Sequence, residues 1–98
     1  MRKNLILLAS ASVWFLGWWF WPQMNYFAGN YRYNNDNYSD AIDAYSVAID
    51  SNRLEPEIVG KSYFGRAEAK LAIAYTTLGS DEDIYAAVND YDLSLIHI

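Results

Sequence analysis

Six residues, Tyr38, Ala41, Ile42, Tyr45, Ala48 and Ile49, recur at spacings of three and four. That period puts them on one face of a helix and excludes the two-residue alternation of a half-buried strand. Asp40, Asp43, Ser46 and Asp50 fall on the opposite side. Asn37 stands in the N-cap position, with Asp40 three residues on. A second stripe runs through Ile84, Ala87, Val88, Tyr91 and Leu95. Ser80-Asp81-Glu82-Asp83 opens it with capping-box spacing, and the acids lie where a helix dipole favours them. Between the stripes, residues 58–78 read as one long helix with Tyr63, Ala67, Leu71, Ala74, Tyr75 and Leu78 inward, slightly weakened by Gly60 and Gly65. Asn34-Asn35-Asp36 reads as a turn and residues 51–55 as a link, after which Pro56 suits a first helical turn. The fold class read from these patterns is all-α.

The stripes also repeat one another. Ala41-Ile42-Asp43-Ala44-Tyr45 matches Ala87-Val88-Asn89-Asp90-Tyr91, and Tyr26-Phe27-Ala28-Gly29-Asn30-Tyr31 resembles Ser62-Tyr63-Phe64-Gly65-Arg66-Ala67. Each unit is helix, turn, helix, and the second is the longer. Residues 28–31 followed by 35–49 resemble a tetratricopeptide repeat, whose pattern runs Leu-Gly-x-x-Tyr and then Gly-Asp-Tyr-x-x-Ala-Ile-x-x-Tyr-x-x-Ala-Leu. The match is good from Tyr38 to Ile49. The first helix departs from the pattern at Ala28, Asn35 and Arg32, and the second unit is irregularly spaced. The resemblance implies an α-solenoid of about two units. Residues 23–55 form the first hairpin and 56–98 a second, longer and truncated one. A single helical hairpin cannot bury its own apolar face, and about three repeats are usually needed.

Ahead of these units, residues 5–21 carry no charge and hold all four tryptophans, Trp14, Trp18, Trp19 and Trp21. Arg2 and Lys3 precede the run and Pro22 ends it. Seventeen helical residues span roughly 26 Å, the short end of what crosses a hydrocarbon core. Residues 1–22 therefore read as a signal anchor or transmembrane helix, with the N-terminus cytoplasmic and the repeat region exported to the periplasm or outside the cell. A cleaved signal giving a secreted protein is the alternative reading. A buried core helix is disfavoured, because the tryptophans leave no polar face.

Composition removes several function classes. Seven Lys and Arg stand against twelve Asp and Glu, and residues 23–98 hold all twelve acids with only five bases. Nucleic-acid binding needs clustered cations and is not expected. The absence of cysteine excludes disulfides, thiolate metal sites and a Cys nucleophile. Asp81-Glu82-Asp83, Glu55 and Glu57 lack the alternation and mid-loop Gly of a calcium loop. No cofactor, metal site, catalytic group or small-molecule substrate is expected. Asn37-Tyr38-Ser39 fits a glycosylation acceptor, but Asn37 already has a capping role. The last six residues, Leu93-Ser94-Leu95-Ile96-His97-Ile98, resemble one translated frame of the transposon-end adapter used in short-read sequencing libraries. That resemblance implies a natural chain reported only as far as Asp92, and no role is assigned to His97.

In the tetratricopeptide family the first helix of each repeat lines a concave peptide groove. Carried over, the resemblance makes Tyr26, Asn30, Tyr33 and Asn34 groove candidates from the first unit, and Arg66 and Lys70 from the second. Asn30, Arg66 and Lys70 partly echo the clamp by which some members hold a partner's C-terminal carboxylate. The function implied is a membrane-anchored module that binds a protein or peptide without catalysis. Alternatives are a soluble exported adaptor, the leading region of a larger enzyme, and a single-span subunit of a larger complex.

Overall fold

The computed structural model describes residues 2–76 and 81–97, with their side chains from residue 16 onward. Among the described residues there are four helices and no strand: α1 (Arg2–Asn34), α2 (Tyr38–Asp50), α3 (Pro56–Thr76) and α4 (Asp81–Ile96). The all-α expectation holds. The helices pack in chain order, α1 on α2, α2 on α3 and α3 on α4, with a lesser contact between α1 and α3. The molecule measures 62 × 27 × 18 Å, its length set by the 33 residues of α1.

The α1–α2 turn is closed by a left-handed residue. Asp36 has φ 61°, a conformation that Asp tolerates better than most side chains. The Asp36 N–H donates to Tyr33 O at 3.0 Å and the Asn37 N–H to Arg32 O at 2.9 Å. This bond pair caps the carbonyl end of α1 as a Schellman motif does. The Asn37 side chain accepts no bond from a backbone N–H of the first turn of α2. Its amide instead donates to the Asp40 carboxylate at 2.8 Å, which corrects the capping expectation.

The α2 stripe is inward as read. Ala41, Tyr45, Ala48 and Ile49 are buried, and Tyr38 and Ile42 pack against the cluster of Ala41, Tyr45 and Ala69. Helix α3 begins at Pro56 and buries Gly60, Ser62, Ala67, Ala69 and Ala74. Tyr75, expected inward, is exposed, whereas Leu78 and Ser80 lie outside the described residues.

Helix α4 departs furthest from its pattern. Its buried residues are Ala87, Asp90 and Ser94. Ile84, Val88 and Leu95, expected inward, face solvent. The physical reason is that a charged residue, not an apolar one, anchors this helix to α3.

Pro22 does not end the first helix, because α1 runs through it. Proline lacks the N–H that would bond the carbonyl four residues back, which here is Trp18 O. Arg53, from the link after α2, supplies the donor. Its Nη2 reaches Trp18 O at 3.1 Å, and its guanidinium lies 4.0 Å from the centre of the Trp18 ring. One side chain thus restores the lost backbone bond and adds a cation–π contact. Pro22 itself is fully buried.

Around that clasp the described side chains of α1 are only partly covered. Trp18, Trp19, Phe20 and Trp21 are each about half exposed, and four successive helical positions cover every side. Among the described residues no helix is long and apolar enough to cross a membrane. The side chains of residues 5–15 of the expected span lie outside the described residues.

Candidate peptide groove

An open groove of about 380 Å³ lies between α1 and α3, with α2 as its floor. Helix α1 contributes Tyr26, Asn30 and Tyr33, one face at spacings of three and four. Helix α3 contributes Lys61, Phe64, Gly65 and Glu68, again one face. Tyr45 forms the floor.

Two glycines set the depth of that floor. A Cβ on Gly29 would lie 2.6 Å from Tyr45 Cε1, and one on Gly65 would lie 2.5 Å from Tyr45 Cζ. The Tyr45 ring is therefore held between the backbones of α1 and α3. These are the two glycines aligned by the internal repeat. The Tyr45 hydroxyl donates to Asn30 Oδ1, and burial pushes its pKa up to about 12.

Glu68 joins the groove to α4. It accepts from the Tyr91 hydroxyl at 2.7 Å and, more weakly, from the Tyr33 hydroxyl at 3.5 Å. Burial, and then the Glu68 carboxylate, push both tyrosines above their ordinary value. Lys61 pairs with Glu57 at 3.3 Å on the exposed side of α3. The groove therefore offers aromatic faces, one cation and one tyrosine-held carboxylate.

Of the six groove candidates, Tyr26, Asn30 and Tyr33 line the groove. Asn34 is exposed at the end of α1 and is not among the lining residues. Arg66 and Lys70 face the other way, toward α4. Arg66 grips Asp90 with two bonds of 2.9 Å and donates to Ser46 Oγ at 3.0 Å, and Lys70 reaches Asp90 at 2.8 Å. The cause is the buried Asp90 carboxylate, which must be neutralised where it is desolvated. The carboxylate clamp implied for Asn30, Arg66 and Lys70 is thus not assembled. Lys61, Phe64 and Glu68 were missed by the sequence reading. The repeat alignment carries no signal for them: it pairs the groove residues Tyr26 and Asn30 with Ser62 and Arg66, neither of which lines the groove.

Among the described residues no group of three His, Asp or Glu is placed to hold a metal ion. No known protein family, curated protein or solved structure matches the chain.

The glycine contacts predict a specific cost. Alanine in place of glycine raises helix propensity by about 1 kcal/mol, but the clash with a clamped ring costs about 1–3 kcal/mol. We expect Gly29→Ala and Gly65→Ala to lower the urea midpoint despite the better helix former. Gly17, with nothing within 4 Å of its Cβ position, is the control, and Gly17→Ala should not lower it.

Proposed function

We propose that the chain is a membrane-tethered helical-repeat module that binds an extended or helical peptide of a partner protein between α1 and α3, without catalysis. The observation that carries this reading is the groove over Tyr45, whose two walls come from repeat-related helices. Its aromatic walls suit peptide side chains, because rigid rings supply contact area at little entropic cost. Phe64 is about half exposed at the groove edge and is its natural anchor. The ionisable groups in the groove are already engaged in structural contacts, Glu68 with two tyrosines and Lys61 with Glu57.

The tether rests on the unpolarised apolar surface of residues 16–21, on the uncharged run that precedes it and on Arg2 and Lys3 at its start. Lipid relieves the exposure of such a surface, and the positive start keeps the N-terminus cytoplasmic, with the repeats exported. Extraction without detergent should leave the protein in the membrane fraction, and recovery in the soluble fraction would reject the tether.

The groove is tested by selecting peptides from a displayed library against the parent protein. Phe64→Ala should weaken the selected peptides about tenfold or more, equivalent to about 1.4 kcal/mol, with helicity unchanged. Peptides that bind equally well to Phe64→Ala and to Tyr26→Ala would place recognition elsewhere and overturn the groove reading.

A further inference from the structure

The cations implied as a clamp for a partner's carboxylate are used inside the fold. Arg66 and Lys70 hold Asp90. The other three bases of residues 23–98 are engaged as well: Lys61 with Glu57, Arg32 with Asp40 O at 3.1 Å and Arg53 with Trp18 O at 3.1 Å. The same residues hold twelve acids. The module is therefore poorly equipped to receive an anion.

Glu68 is the opposite case. Its carboxylate lines the groove, partly buried, and accepts from the Tyr91 hydroxyl at 2.7 Å and the Tyr33 hydroxyl at 3.5 Å. Both donors are neutral, so they orient the carboxylate and leave its charge uncompensated. Among the described residues no Lys or Arg pairs with Glu68. A carboxylate offers about four lone-pair sites, so two tyrosine bonds leave room for further donors. A charge partly withdrawn from water favours a counterion, and a charge-assisted bond is the strongest available to it.

The surrounding groove suits a long basic side chain. Phe64 stands one turn before Glu68 on α3, and Tyr26 and Tyr33 line the opposite wall. Rings beside a carboxylate take the methylene stem of Lys or Arg and attract its charged head. Lys61 lies two turns before Glu68, about 10 Å along the helix axis, and repels a base from that end. We propose that the partner peptide sets a Lys or Arg side chain against Glu68, with its stem on Phe64, so that the groove selects basic segments and not a C-terminal carboxylate. The inference rests on the peptide-groove reading and adds the charge of the ligand. The excess of acids over bases in residues 23–98 steers such a cationic partner toward the module.

The full-length protein is challenged with a displayed random-peptide library, and the binders are sorted by their loss on Phe64→Ala. The Phe64-dependent peptides should be enriched in Lys and Arg. One of them is then synthesised with its base and with norleucine in its place. The parent protein should bind the basic form about tenfold or more tightly, as for a hydrogen bond to a charged group. Glu68→Gln, which keeps an acceptor for the tyrosines, should bind both forms about equally. The parent's preference should also shrink as salt is raised from about 0.01 M to about 1 M, which shortens the Debye length from about 30 Å to about 3 Å. That response needs no variant and decides the matter if Glu68→Gln loses helicity: a preference indifferent to salt would then overturn the proposal. Phe64-dependent peptides without a base, or a basic preference left intact by a folded Glu68→Gln, would overturn it while sparing the groove. Peptides indifferent to Phe64→Ala would overturn the groove reading and this inference with it.

Discussion

Tyr45→Ala should cost about 3–5 kcal/mol, the range for emptying a large buried aromatic site. Among the described residues Tyr45 is the largest fully buried side chain, and it touches both α1 and α3 through Gly29 and Gly65. Removing it takes the shared centre from three helices at once. A small domain is stable by only about 5–15 kcal/mol, so this loss should leave a substantial unfolded population. Tyr45→Phe separates packing from hydrogen bonding. It keeps the ring and loses the bond to Asn30, for which about 1 kcal/mol is expected. Denaturant unfolding followed by circular dichroism distinguishes the two.

The same residue gives an alkaline signature. Its folded pKa of about 12 lies above the ordinary value of 10.0, because burial disfavours the phenolate. A raised folded value means that the stabilisation is complete below pH 10 and is lost as pH rises toward 12. Tyr33 and Tyr91 shift in the same direction and add to the trend. Tyr45→Phe should flatten part of this decline.

Asp90→Ala is the second large effect. The carboxylate is buried, whereas the Arg66 and Lys70 side chains keep 17% and 27% exposure. Removing one partner of a buried ion group typically costs about 3–5 kcal/mol. The low end, about 3 kcal/mol, is expected here, because both cations retain some access to water. Helix α4 should loosen first, since Asp90 is the centre of its inner face. The remaining ties of α4 to α3 include the Tyr91–Glu68 bond and the edge contact of Phe64 with Tyr91. Amide exchange resolved along the chain should show α4 losing protection before α2. Replacing Asp90, Arg66 and Lys70 together by apolar residues of similar volume should cost far less than Asp90→Ala, because no unpaired charge is left.

Asp90 also sets the acid limit. Burial alone would raise its pKa, but the bonds to Arg66 and Lys70 outweigh burial and hold it below the ordinary 3.8. A depressed folded value contributes stability above that ordinary value and loses it as pH falls through the folded one. Acid unfolding should therefore begin below about pH 4 and be blunted in Asp90→Asn.

These residues also explain what could be read from the sequence. Helix α2 was legible because its inner face is wholly apolar and small or aromatic, so periodicity and burial agree. The groove wall of Tyr26, Asn30 and Tyr33 came through the repeat resemblance. Helix α4 misled because three residues of its apolar stripe, Ile84, Val88 and Leu95, point outward, while Ala87 of the same stripe is joined on the inner face by Asp90 and Ser94. An aspartate reads as solvent-facing unless its partners are known, and Arg66 is 24 residues upstream. One clue was present: the repeat sets Asp90 at the position of Ala44, which is buried in α2. Pro22 misled for a similar reason, since its rescuer Arg53 lies 35 residues from Trp18. Local patterns register short-range geometry, and both errors concern charges acting across the fold.

The groove reading requires α1 and α3 to flank α2 with the Tyr45 ring between them. Nuclear Overhauser contacts from the Tyr45 ring protons test this directly. The account predicts cross-peaks from that ring to the α-protons of both Gly29 and Gly65. Contacts to only one of these glycines, or to neither in a protein that is otherwise helical, would contradict it.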